Sequence, residues 1–143
     1  MCPFCDIARR QASADIVFAD DASVAFLDHR PLFPGHCLLI PREHHVTLAD
    51  LPPDQVGALF RNAQMLARVV EDALAAEGTF VALNNRVSQS VPHLHVHVVP
   101  RRRKDGLRGF FWPRRHYDDD DHRARVAGAL RSGIERVRAP EVT

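Results

Sequence analysis

The run His93-Leu94-His95-Val96-His97-Val98-Val99 constrains this chain more than any other segment, because imidazoles alternate with apolar side chains. Alternation at a period of two is the signature of a β-strand, so Leu94, Val96 and Val98 are expected to face a core while His93, His95 and His97 share the opposite face. An imidazole titrates near neutrality and serves as a base, a nucleophile or a metal ligand, so three of them in register mark the place where chemistry happens. The bland alternative is a strand whose exposed face merely carries histidines.

Around that strand the chain reads as an α+β domain. At 143 residues it forms one domain with a self-sufficient core, and 19 basic against 18 acidic residues leave no net field to attract nucleic acid or a membrane surface. No apolar run reaches membrane-spanning length and the N-terminus lacks a signal-peptide apolar region, which makes a cytoplasmic location the expectation. A short helix is predicted over 5–11 and strands over Ile16 to Ala19 and Val24 to Asp28. A loop with Pro31, Pro34 and Gly35 leads to a third strand, His36 to Ile40, stopped by Pro41. The one long helix starts near Pro52-Pro53-Asp54 with Asp50 as its cap, repeats Val56, Leu59, Phe60, Ala63, Leu66, Ala67, Val70 and Leu74 at helical spacing, and ends at Gly78. Thr79 to Leu83 reads as a strand and Asn84 to Val91 as a polar loop. A tail helix begins in the Asp118–Asp121 run and carries Val126, Leu130, Ile134 and Val137 on one stripe. An antiparallel sheet with helices on one face accommodates this order.

Same-face positions on a strand lie ~6.6 Å apart, so a single zinc ion would reach all three histidines only with the outer side chains near full extension. Divided labour is the easier arrangement, with His95 performing one task and its neighbours others. Gln89-Ser90 just ahead of the strand supply an amide and a hydroxyl, donors suited to a charge-developing phosphorus centre, and a neutral imidazole is a competent nucleophile toward phosphorus. Cys2-Pro3-Phe4-Cys5 has the spacing of a metal or redox pair, and the odd number of cysteines disfavours a disulfide framework. Cys37 alternates with core residues and reads as a small buried hydrophobe.

These residues resemble the histidine-triad (HIT) family of nucleotide hydrolases and transferases. The likeness rests on His93 to Val99 and, in order along the chain, on Phe26-Leu27-Asp28, Pro34 to Pro41, Asn84-Asn85 and Gln89-Ser90, and it spans about residues 2–113. It implies a five-stranded antiparallel sheet with one long helix and a C-terminal helix, joined to a second copy in a homodimer. It also implies roles by position: His95 as nucleophile, His97 on the α-phosphate, His36 as buttress, Asp28 on the ribose, Asn84 and Gln89 on phosphate oxygens, and Ser90 there and near the leaving group. The zinc-binding branch of the family further implies structural zinc on Cys2, Cys5, His44 and His93, with His45 as the alternative to His44. The bland reading of the cysteine pair is a frayed, metal-free terminus.

The resemblance therefore implies cleavage at the α-phosphate of a nucleoside phosphoramidate, dinucleoside polyphosphate or similar purine nucleotide conjugate. The reaction passes through a nucleotidyl-histidine intermediate and releases a nucleoside monophosphate, AMP for an adenine substrate. The competing readings are a nucleotide sensor with little turnover and a zinc-dependent metallohydrolase. Arg101 to Lys104 reads as a solvated loop, Phe110-Phe111-Trp112-Pro113 as a segment that packs on the domain or a partner subunit, and His29, His116 and His122 receive no role.

Overall fold

A computed structural model describes residues 1–108 and 114–140. They divide into two compact units, Met1–Gly106 and Leu107–Thr143. The expected role of Phe110 to Pro113 lies outside the described residues. Among the described residues no helix is long and apolar enough to cross a membrane.

The first unit is α+β. Helix α1 (Pro3–Ala8) is followed by strands β1 (Ile16–Ala19), β2 (Ser23–Leu27) and β3 (Cys37–Pro41), a short 3-10 turn (Leu48–Asp50), the long helix α2 (Pro53–Leu74), and strands β4 (Gly78–Ala82) and β5 (Val96–Arg101). The strands form one antiparallel sheet in the order β1-β2-β3-β5-β4. Its faces are set by alternation. Ala25, Cys37, Leu39, Val96 and Val98 point to the face covered by α2, against Leu59, Ala63, Leu66 and Val70. Val24, Phe26, Leu38 and Ile40 point to the other face, where Phe4 and Ala8 of α1 pack. The expectation of helices on one face is thus corrected: α1 is pinned to the opposite face by its aromatic residue. It runs over Pro3–Ala8 rather than 5–11 because Pro3 suits a first turn and the Cys2 sulfur accepts the Cys5 N–H.

Several boundaries move for local reasons. Asp50 does not cap α2. Its carboxylate takes the Thr47 N–H and hydroxyl, closing the 3-10 turn, while Pro52 precedes α2 and Pro53 opens it. The long helix stops at Leu74, not at Gly78, because Ala75 turns left-handed at φ 49° and its N–H returns to the Glu71 carbonyl. Gly78 is instead the first residue of β4. Pro41 is the last residue of β3 and pairs with Ser23. Arg102 caps the far end of α2 by donating to the Leu74 and Ala75 carbonyls, and Arg101 and Arg103 pair with Asp105 and Glu77, so most of that basic run is engaged.

The second unit holds helix α3 (Asp120–Arg138). The Asp119 carboxylate accepts the His122 N–H at 2.6 Å, acids fill the first turn, and Arg136 and Arg138 sit in the last, as the helix dipole favours. Leu130, Ile134 and Val137 of its apolar stripe are exposed.

Gly35 sets the entry to β3. Its φ is +99°, and an added Cβ would lie 2.3 Å from Leu74 Cδ1. Leu74 is partly exposed and its tip can move, so backbone strain dominates the cost. Gly35→Ala is expected to lose about 1–3 kcal/mol in denaturant unfolding. Gly78→Ala, with nothing within 4 Å of the added carbon and an ordinary φ, is expected to leave the midpoint unchanged or raise it.

Candidate active site

β5 begins at Val96, so His93, Leu94 and His95 precede the ladder instead of belonging to it. Their backbone is held otherwise: the Leu94 N–H donates to the His45 carbonyl at 2.7 Å and the His93 N–H to the Val91 carbonyl at 2.8 Å. Leu94, Val96 and Val98 enter the core under α2, and the histidines point to the other side. That side is not open. Phe4 covers it, and His93 and His95 are only 0% and 2% exposed.

Each ring is oriented by a hydrogen bond to one nitrogen. His95 Nδ1–H donates to the His93 carbonyl at 2.7 Å, which leaves the Nε2 lone pair of the neutral ring uncommitted. β3 and β5 pair with Leu38 opposite His97, which brings His36, one residue before β3, alongside His97. The Leu32 N–H donates to His36 Nδ1 at 3.1 Å, so the His36 proton sits on Nε2 and is donated to His97 Nδ1 at 2.9 Å. His97 in turn carries its own proton on Nε2, a donor available to an anion. Burial holds both rings below the ordinary histidine range. For His97 the neighbouring His95 and His36 add to burial and lower it to about 4; for His36, Asp28 works in the opposite direction.

His95 and His97, with ring centroids 5.0 Å apart, line a cleft of 410 Å³ together with Phe4, Ile7, Phe26, Asp28 and Ser90. Among the described residues no lysine or arginine lines it, so the donors an anion would meet there include imidazole N–H and the Ser90 hydroxyl. Asp28 uses one carboxylate oxygen to accept the Arg30 N–H at 2.9 Å, and its other oxygen lies 3.8 Å from His36 Nδ1. The structure does not bring Asn84 or Gln89 to the cleft. The Gln89 amide donates to the Val46 carbonyl and accepts the Arg86 N–H, and Asn84 donates to the Ser88 carbonyl, so both fasten the loop ahead of the histidines. Sequence reasoning missed Phe4 and Ile7, whose signal was their one-turn spacing beside the cysteine pair, and His29, which borders the cleft with an exposed ring.

A second group gathers next to the first. Cys2, Cys5, His44 and His93 place their ligand atoms within 4.8 Å of one another. Cys2 Sγ and Cys5 Sγ lie 3.4 and 3.5 Å from His93 Nδ1, and Cys5 Sγ lies 3.3 Å from His44 Nδ1. A tetrahedral zinc with bonds of about 2.3 Å to sulfur and about 2.0–2.1 Å to nitrogen spans a sulfur–nitrogen edge of about 3.5 Å. His93 Nε2–H donates to the Pro41 carbonyl at 3.0 Å, leaving Nδ1 free to ligate with its ring orientation already set. Burial, followed by the Cys2 side chain, pushes the Cys5 thiol up, and a bound cation would reverse that. The residues fit a metal. His44 belongs to this cluster, while His45 does not and has its buried Nε2 3.7 Å from a Glu43 carboxylate oxygen. Cys37 stays apart, buried, its sulfur donating to the Gly35 carbonyl.

Comparison with known proteins agrees with this architecture. The HIT domain model matches residues 9–104, and the chain belongs to that family. An uncharacterized HIT-like protein of Mycobacterium tuberculosis is 36% identical over 108 residues, 74% of this chain and 75% of that protein. An adenylylsulfatase of Arabidopsis thaliana is 32% identical over 117 residues, 80% of this chain but 59% of its own length. Among solved structures, a Zn-bound histidine triad family protein from Mycobacterium smegmatis is similar with a TM-score of 0.71 at 35% identity, covering 94% of this chain and 96% of that one.

The depressed His97 and His36 values set a direction for stability. The unfolded chain takes up protons at these rings near pH 6.5, before the folded protein does, so acidification favours unfolding. The thermal midpoint is expected to hold above pH 7 and fall as the pH drops from about 6.5 toward the folded His97 value of about 4, below which Asp20 and Asp50, held by hydrogen bonds below the usual carboxylate range, continue the fall. His97→Gln should flatten that fall in a pH series of melting curves.

Proposed function

We propose that this protein is a nucleotide hydrolase or transferase that cleaves at an α-phosphate through a covalent nucleotidyl-His95 intermediate. One observation carries the reading: the His93 carbonyl ties down His95 Nδ1–H, leaving Nε2 as the uncommitted nitrogen of a ring that lines the cleft. Its lone pair forms an N–P bond as the bond from phosphorus to the leaving group breaks, and the departing group takes a proton from the Ser90 hydroxyl, which regains one from solvent water. Water then displaces the imidazole, breaking the N–P bond and releasing the nucleoside monophosphate with neutral His95. His97 Nε2–H donates to a nonbridging oxygen as charge grows on it, and His36 holds His97 in the tautomer that can do so. Asp28 at the cleft margin takes the ribose hydroxyls, and the apolar wall of Phe4, Ile7 and Phe26 suits a flat base.

The similarity to an adenylylsulfatase favours an adenine nucleotide, and hence AMP as product. Phosphoramidates and dinucleoside polyphosphates present the same α-phosphate and belong to the same proposal. The reading includes structural zinc on Cys2, Cys5, His44 and His93, supported by the fit of those donors and by the Zn-bound relative. Four protein ligands would leave no position for substrate, so a bound ion would cross-link α1 to the segments that follow β3 and precede β5. It also includes a homodimer in the cytoplasm. The edge strand β4, Gly-Thr-Phe-Val-Ala, carries no charge or proline against pairing with another copy, and light scattering reads the dimer directly.

A metallohydrolase centre on Asp28, His36 and His97, whose donors also lie within 4.8 Å of one another, is disfavoured. The two facing ring nitrogens of the histidines are bonded to each other and the remaining His36 nitrogen accepts the Leu32 N–H.

Rapid quench into alkaline denaturant with a radiolabelled adenine nucleotide conjugate is expected to trap label on the protein in a base-stable linkage that later acid treatment releases. His95→Ala should abolish the adduct and lower kcat by about 10³-fold or more. Wild-type turnover in that variant, or equal nucleotide affinity with no adduct in either protein, overturns the covalent mechanism. The purified chain is expected to hold one equivalent of zinc, and chelation or Cys5→Ser should lower the melting temperature together with activity. Loss of activity with an unchanged melting temperature would instead point to a metal acting in the reaction.

A further inference from the structure

The metal group and the nucleophile share two structural parts. The first is the His93 residue, whose ring belongs to the metal group while its carbonyl orients His95. The second is Phe4, which sits between Cys2 and Cys5 in the chain and is almost fully buried. Its ring stands edge-to-face on His95, with centroids 5.2 Å apart and planes at 85°. The same ring contacts His93 at 6.0 Å and Phe26 at 5.3 Å.

Neither part is held by the sheet. Residues 93–95 lie outside the β5 ladder, and α1 is six residues long, too short to persist without tertiary anchors. Arg42 donates to the Ala8 carbonyl at the C-terminal end of α1, so at the Phe4 end the described anchors are apolar packing and the two sulfurs that flank it. A side chain seated only by packing can slide or rotate, whereas one bracketed by two metal bonds cannot.

We propose that Phe4 is a positioning residue for the nucleophile, and that the Cys2–Cys5–His44–His93 group acts on catalysis through it. Occupancy of that group clamps the helix that presses Phe4 against the His95 ring and steadies the carbonyl that accepts the His95 proton. The metal group then governs how well the nucleophile is aimed as well as how well the chain holds together. The proposal rests on His95 being the nucleophile.

The test follows the histidine ring itself. Long-range nitrogen–proton spectra of ¹⁵N-histidine-labelled protein, recorded at one pH near 7.5, distinguish a ring fixed with its proton on Nδ1 from one that averages between tautomers, and His95→Gln assigns the signal. In zinc-loaded wild type the His95 signals are expected in the Nδ1–H pattern. Phe4→Ala should shift them toward the averaged pattern with zinc content still at one equivalent, and Phe4→Leu, which keeps apolar bulk, should fall between. Stripping zinc from the wild type should produce the same shift, and stripping it from Phe4→Ala should add little.

In turnover, Phe4→Ala is expected to lower kcat by about 10- to 100-fold, more than it raises KM. His95 signals that superimpose on wild type in both variants, or that ignore zinc removal, overturn the proposal. So does an effect confined to KM, which a plain cleft wall would give. Should Phe4→Ala not fold, Phe4→Leu and stripped wild type still decide the matter. If the wild type neither turns over nor forms an adduct, the nucleotide reading fails, while the spectra still report whether Phe4 and the metal order the ring.

Discussion

The antiparallel pairing of β3 with β5 is the contact on which the rest of the molecule depends. It joins the two halves of the sheet, whose order places β1 and β2 on one side and β4 on the other. It buries Leu39, Val96 and Val98 completely under α2. The same register sets Leu38 against His97, which brings His36 to 2.9 Å from the His97 ring. A slip of one residue would turn the histidines into the apolar core and the valines toward the cleft, so the pattern that stabilises the sheet also specifies the site.

Hydrogen-bond direction then fixes what each ring can offer. Among the described residues no lysine or arginine lines the cleft, and burial holds His36 and His97 toward their neutral forms. The Leu32 N–H starts a relay through both rings that ends in an outward donor on His97, while the His93 carbonyl turns the lone pair of His95 the other way. A ring with an outward donor and a ring with an uncommitted lone pair therefore sit side by side, distinguished by what each ring's other nitrogen touches. This division suits a mechanism in which one imidazole becomes covalently loaded while its neighbour remains a hydrogen-bond donor.

Much of the sheet was legible in the chain because alternation reports burial directly. The β2, β3 and β4 strands lie within one residue of the expected ranges, and the core stripe Leu59, Ala63, Leu66 and Val70 of α2 follows its helical period. Misplaced boundaries came from competition between neighbouring turns. Asp50 had two helix starts within reach and joined the nearer, at Thr47, and Ala75 adopted the left-handed turn assigned in advance to a glycine. Gln89 was expected on phosphate from its amide beside the histidines and Asn84 from the family resemblance; in the structure both side chains bond backbone groups, of Val46 and Ser88.

The residue order alone determined that imidazoles would alternate with core residues and share one side, although only His97 of the three lies within β5, that the cysteine pair had metal or redox spacing, and that the chain belongs with α+β proteins. These follow from periodicity and donor chemistry, which are local, whereas the joining of His44 and His93 to the cysteines was implied by the family resemblance. Only the tertiary structure decided that His44 and not His45 joins the cysteines, that the histidine side is roofed by Phe4, and which nitrogen of each ring is engaged. Those outcomes depend on elements far apart in the chain meeting at atomic distance, and no local pattern encodes which carbonyl or ring edge will be waiting there.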